Sequence, residues 1–521
     1  MKKIFAILMT ICLLAGALSI TVFAAEAPAE GVVIRVSAKD KKTAEDVVIK
    51  DYTEFDEGWE GAIDFALSEE EREKYSRVIV DFYGDWTANE DGEFGDSWRL
   101  SSNWGDGFQY STIYVPENVN ITLNLNGHTI NRGLEESEND GEVIYIDEDA
   151  DVIINNGTIK GGKSTNGAGG IHVNEAYLIL NNVHIVGNLS DNDDGGGIAL
   201  YDSTLVMNGG SFRDNVIDGT AGTGIGAWEC MGGAIYINDS TATFNGVEFK
   251  NNQNTTDSDY GAAIYVDDGE VSIDNCTFDG NGIKDDARGY KPSLSIIHAE
   301  DSTVKVENST FTNNGYNHHN LQWGYVGGAA FGYQSAIFTL EASKLTVSGG
   351  CTFTNNATFL MFDFMNGTSQ LYVSDATFTD NGSSIIYAHR ILSEDSYFRN
   401  CTFNNNLMTK PELMDTFTND GSYDPFSFDI SECTLTLENC DMGNSTYDGL
   451  ENIKFVDCKN APNTSNFPGS IFGEGSLALI VAILSLIASG VAIFLVVYYN
   501  KKKAAPVAAN GATDTEADDE E

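Results

Sequence analysis

Beyond Arg132, the stretch KDDARGYK (284–291) sets two adjacent acidic residues beside an arginine. Asp285 and Asp286 could hold a Ca²⁺ ion through their carboxylate oxygens, with Arg288 placed to take a proton from a substrate beside it. The plain alternative is an exposed charged loop. Asp193 with Asp194, and Asp257 with Asp259, are further candidate Ca²⁺ ligands, because neighbouring carboxylates suit a hard divalent ion. His318-His319 offers two imidazoles, but adjacent histidines rarely chelate one ion and no third ligand is evident.

What must position these residues is a repeat. Aligned on one phenylalanine, the chain reads GSFRDN (210–215), VEFKNN (247–252), CTFDGN (276–281), STFTNN (309–314), CTFTNN (351–356), ATFTDN (376–381) and CTFNNN (401–406). Ile130, Ile159, Ile185 and Met442 take the phenylalanine slot in outlying units, giving about eleven units at a period of roughly 25 to 40 residues. Upstream of each ladder residue come short apolar segments of period two, such as Leu178/Leu180 and Val304/Val306, and before them Ile171, Ile198, Ile235, Ile264, Ile297 and Phe364. Three short strands per unit cannot bury their own apolar face, but stacked in parallel they can. The expected fold is all-β: a right-handed parallel β-helix solenoid over 112–460. The small slot two before the phenylalanine makes Cys276, Cys351, Cys401 and Cys440 inward-facing thiols; a Cys401–Cys440 disulfide is the other option for that pair. The asparagine closing each unit is expected to turn the chain in the left-handed region and to stack its amide on the next.

The units differ in length where the closing asparagine meets the next strand. Insertions there should emerge along one edge of the solenoid. That edge would gather Trp228, Tyr260, Tyr316, His318, Trp323 and Tyr325 beside the acids already named. Aromatics among acids and amides suit sugar rings and their hydroxyls; the simpler reading has the tryptophans pinning their own loops.

The rest of the chain frames this solenoid. Residues 1–24 read as a signal peptide and 25–111 as a cap, with Trp59, Ile63, Ala66 and Leu67 on one helical face and 77–86 as a strand. His128 is expected to pack at the capped end. Residues 461–476 read as a linker, 477–499 as a transmembrane helix, and 500–521 as a cytoplasmic tail behind Lys501-Lys502-Lys503. The net charge of −49, from 78 acidic against 29 basic residues, argues against nucleic acid and polyanions as partners.

The pairing of GGAI (232–235), GGGI (195–198) and GAAI (261–264) with F-x-x-N resembles the repeats of chlamydial polymorphic outer membrane proteins. More broadly the chain looks like the pectin-lyase-like β-helix superfamily, and ITLNLNGHTI (121–130) is similar to its first-coil motif. The resemblance covers roughly residues 112–445 and implies the fold far more than an activity. Polygalacturonase-like members use G-H-G and R-I-K elements that do not occur here, although Asp193-Asp194 and Asp267-Asp268 are doublets. Pectate-lyase-like members need the Ca²⁺-plus-base set that only Asp285, Asp286 and Arg288 could supply. Three functions are therefore expected in decreasing weight: a membrane-anchored cell-surface binder of an extracellular glycan or protein, a structural spacer, and a polysaccharide lyase or glycoside hydrolase.

Overall fold

The computed structural model describes residues 28–90, 92–94, 112–134, 139–165, 167–191, 193–218, 230–255, 260–282, 295–315, 336–358, 360–389, 392–406, 427–431 and 433–462. The segments read as a signal peptide and as a transmembrane helix lie outside the described residues. Among those residues, no helix is long and apolar enough to cross a membrane.

Three sheets run through the molecule: sheet A with twenty-three strands, sheet B with twelve and sheet C with four. Nearly all pairings are parallel, in register, and join one coil to the next. Residues 177–186 pair with 151–160 on one side and 204–213 on the other. Inward residues of sheet A, such as Leu178, Leu205, Ala242, Val271, Val304 and Leu345, are buried and continue one core from Ile34 to Ile453. Sheet C forms only at Lys163–Ser164, Leu189–Asp191, Val216–Asp218 and Gln253–Asn254. Among the described residues this third sheet is confined to four successive coils, whereas the three strands expected per unit lie in sheets A and B, as at Ile235–Asn238, Thr241–Asn245 and Glu248–Lys250.

The phenylalanine slot is a stack of rings. Phe249 and Phe278 lie 4.6 Å apart at 1°, and Phe278 and Phe311 4.5 Å apart at 3°. Burial of each ring contributes about 1.5–3 kcal/mol, with about 0.5–1.5 more from the offset stack. Two residues earlier, the small slot makes a second ladder: Val247 N–H donates to Cys276 Sγ at 3.4 Å, and Cys276 N–H to Ser309 Oγ at 3.0 Å. Here Gly210 is required, since a Cβ would stand 2.0 Å from the Val183 carbonyl oxygen. Cys401 and Cys440 are thiols and form no disulfide with each other.

The closing asparagines stack their amides, but the turn conformation falls one residue earlier than expected. The left-handed residues are Asp214, Asn251, Asn313, Asn355, Asp380 and Asn405, with Gly187 and Gly280 in the remaining units. These neighbours, most of them exposed, turn the chain so that the following asparagine can point inward. A one-slot shift also corrects sheet B, where Phe362 and not Phe364 lies in register with Phe338 and Ile297. The coil around it carries two extra residues between sheets B and A.

The first coil is closed by a small antiparallel unit. Strand β1 (Ile34–Asp40) lies between β2 (Asp46–Tyr52) and β3 (Tyr75–Phe82), and β3 pairs in parallel with residues 121–124, which makes it the first rung of sheet A. Helix α1 (Phe55–Leu67) covers this end with Trp59, Ala62, Ile63 and Ala66 buried. Leu67, the last helical residue, is 40% exposed, off the face expected for it, because the chain turns at Ser68. Trp86 stacks on Phe55 at 5.6 Å. His128 sits at the surface with Nδ1 3.3 Å from Asp85 Oδ1, not inside the capped end. At the far end, Ile453–Val456 pairs with 435–438 as a last rung.

Candidate functional site: the outer face of sheet B

Each strand of sheet B alternates inward aliphatic or phenylalanine residues with one outward residue between them. Because the strands are in register, the outward residues form rows along the solenoid. One row runs Tyr114, Tyr145, His172, Ala199, Tyr236, Tyr265, His298 and Thr339. The next outward row runs Asn174, Tyr201, Asn238, Asp267, Glu300 and Glu341. In-register pairing therefore places an aromatic row beside an amide and carboxylate row.

The aromatic row has no gap. Tyr145 and His172 stack at 4.7 Å, and His172 stacks on Tyr201 at 5.2 Å. Tyr201 leans in from the neighbouring row to fill the place of Ala199, 5.6 Å from Tyr236. Tyr236 and Tyr265 follow at 5.7 Å, and Tyr265 and His298 at 4.8 Å. Tyr114 extends the other end, 5.9 Å from Tyr145. The spacings track the strand separation of about 4.8 Å, so ring faces are largely occupied by neighbours; edges and hydroxyls remain for a ligand at the half-buried Tyr145, Tyr201 and Tyr236, whereas Tyr265 and His298 are buried.

The hydroxyls divide into two kinds. Tyr114 donates to Asp147 Oδ2 at 2.5 Å and Tyr265 to Glu300 Oε2 at 2.6 Å. Tyr145 and Tyr236 have no hydrogen-bond partner for their hydroxyls among the described residues. Burial, then nearby carboxylates, pushes Tyr145 up to about 12 and Tyr236 well above the usual phenol range. These are neutral hydroxyls at pH 7. Burial pushes His172 down to about 4, against Asp147, so its imidazole is neutral too. The carboxylates of Asp267 and Glu341 are raised first by burial, with Glu300 adding repulsion. Further along the aromatic row, where Asp363 is the register partner of Thr339, burial pushes its carboxyl up to about 6.

Of the residues singled out from the sequence, Asp285, Asp286, Arg288, Trp228, Tyr316, His318, Trp323, Tyr325, Asp257 and Asp259 lie outside the described residues. Tyr260 does join the face: its ring is 4.6 Å from His298 at 50°, and its carbonyl accepts from Asn254 Nδ2 at 2.8 Å. Asp193 and Asp194 serve the turn before sheet B. Asp193 Oδ1 accepts from the Asp194 N–H at 2.8 Å, and Asp194 Oδ1 accepts from the Met231 N–H at 2.8 Å. The glycine pairs entering sheet B are steric: a Cβ on Gly196 would stand 2.3 Å from the Gly233 carbonyl oxygen. A cavity of about 330 Å³ lies in the cap between Phe65, Arg72 and Arg77 and shares no residue with this face.

The aromatic row was absent from the sequence reading. Its signal is the residue after each sheet-B isoleucine, in TIYV, VIYI, GIHV, AIYI, AIYV and IIHA.

The family model described as a right handed beta helix region matches residues 228–421. No curated protein matches the chain.

Proposed function

We propose that this right-handed β-helix is a surface-displayed binding protein that holds an extended, hydroxyl-rich ligand, a neutral glycan, along the outer face of sheet B. The single observation that carries the reading is the unbroken run of rings from Tyr114 to His298 flanked by amides and carboxylates. Neutral phenols and acceptor carboxylates repeated at strand spacing suit a chain of sugar hydroxyls lying across the strands. The acidic balance of the chain disfavours polyanions. Display at a membrane rests on the apolar runs at 1–24 and 477–499 and the lysines that follow the second.

A glycan-array screen of the whole chain, followed by titration of the hits against Tyr236→Ala, tests the reading. Binding to neutral glycans that weakens at least tenfold in the variant supports it. A folded chain that binds no glycan sinks it and leaves a protein ligand or a spacer. Shortening of the bound polysaccharide, lost in Asp363→Asn, would instead favour hydrolysis, with the raised Asp363 carboxyl as general acid.

A further inference from the structure

One polar cluster on sheet B is not explained by hydroxyl recognition. His298 faces outward on Ser295–Glu300, two residues before Glu300, and Glu341 is the register partner of Glu300 on the next coil. One ring nitrogen of His298 and one carboxylate oxygen from each glutamate all lie within 4.8 Å of one another. Two like charges directly opposite on adjacent strands repel. Among the described residues, no lysine or arginine pairs with either glutamate.

His298 supplies the second observation. It is 2% exposed, its Nδ1 is buried without a partner, and no hydrogen bond reaches either ring nitrogen among the described residues. A buried, unsatisfied imidazole nitrogen costs about 1–3 kcal/mol unless something occupies it. The ring is held in place by Tyr265 at 4.8 Å and Tyr260 at 4.6 Å.

We propose that His298, Glu300 and Glu341 bind a first-row divalent transition-metal ion of the Zn²⁺ class. A nitrogen with two carboxylate oxygens suits such an ion, whereas Ca²⁺ takes oxygen ligands only. Three protein ligands leave a coordination position open. The outer partners of a metal site are also present: Tyr265 O–H donates to Glu300 Oε2 at 2.6 Å, and Asn366 Nδ2 donates to Glu341 Oε1 at 2.7 Å. Ligands at about 2.0–2.1 Å on a tetrahedron stand about 3.3 Å apart. The difference from 4.8 Å is taken up by rotation of the two half-buried glutamates toward the fixed ring. The site stands whether or not a glycan occupies the face.

The test uses the whole chain, stripped with a chelator, desalted and dialysed to equilibrium against graded ZnCl₂, with bound metal counted by mass spectrometry. One ion per chain is expected, with affinity falling at least tenfold in Glu300→Gln and in Glu341→Gln and unchanged in Asp147→Asn on the same face. Because the chain carries thiols, Co²⁺ loading is read in parallel, and a spectrum without thiolate-to-cobalt charge transfer is expected. No bound ion, wild-type binding by both glutamine variants, or a thiolate band would each overturn the proposal. Glu341 is half-buried, so its variant keeps the fold; circular dichroism checks this.

Discussion

Asn281 donates from Nδ2 to Asn314 Oδ1 at 3.0 Å and to the Phe249 carbonyl at 2.9 Å, while its own Oδ1 accepts from the backbone and side chain of Asn252 at 3.0 and 2.9 Å. One buried amide thus satisfies groups on the coils before and after it. Asn281→Ala leaves several of these buried groups without partners, each costing about 1–3 kcal/mol. The unfolding midpoint in urea should fall by the equivalent of about 2–5 kcal/mol, and an unchanged midpoint would count against the ladder as a stabilising element.

Phe278 sits between two parallel rings, so its truncation removes contacts on both faces. Phe278→Ala should destabilise by about 3–5 kcal/mol and Phe278→Leu by distinctly less, since leucine refills most of the space. Equilibrium denaturation of the two variants side by side gives the comparison; equal losses would mean that volume at this slot is unimportant.

Burial pushes the Cys276 thiol up to about 11, and a hydrogen bond with Cys401 leads the causes that push Cys440 up to about 12. Thiolate is the reactive form. In the native protein at pH 8, alkylation of these two should be slow, and the half-buried Cys458 should be slow as well, because a hydrogen bond with Cys440 and burial push its thiol higher still. In denaturant all should react at similar rates. Mass spectrometry of labelled peptides reads the rates, and rapid native labelling of Cys276 would refute the expectation.

His172, between Tyr145 and Tyr201, takes up its proton near pH 4 in the fold and near 6.5 when unfolded. A lowered imidazole value means that the unfolded chain binds more protons between these limits, so stability rises with pH across that window. Wild type should lose up to about 3 kcal/mol relative to His172→Gln as pH falls from 7 to 4. Parallel pH dependence in the two proteins would contradict the buried, neutral imidazole.

Tyr236 offers a hydroxyl that no described residue engages. Tyr236→Phe should weaken glycan binding by about 0.5–1.5 kcal/mol, the worth of one hydrogen bond, and Tyr236→Ala by more. Calorimetry on the best array ligand measures both. If the phenylalanine variant binds as tightly as wild type, the hydroxyl edge is not the recognition surface.

The inward ladders were legible in the sequence because one residue type recurs at one slot for a single physical reason, as with Phe249, Phe278 and Phe311. The outward row was not, because nothing in core packing forces those residues to match. It mixes tyrosine with histidine, is interrupted by Ala199, and is completed by Tyr201 from the adjacent row. The left-handed turn was placed one residue late because asparagine and aspartate occupy both positions, and only the buried member could be told apart by its stacked amide. Phe364 was mistaken for Phe362 because both are inward and the coil between them and the ladder is two residues longer. His128, expected inside, found a carboxylate at the surface instead.

The chain distances between successive ladder amides are 27, 37, 29, 33, 42, 25 and 25 residues, yet each amide meets the next at 2.8–3.1 Å. Contour length and axial position are therefore uncoupled in this molecule. A segment can lengthen before a sheet-B strand without moving any coil along the axis, and a whole coil can be lost or duplicated as one unit with its neighbours meeting like residue to like. The face is in that sense a ruler whose graduations are set by the core and whose length is open to change one mark at a time.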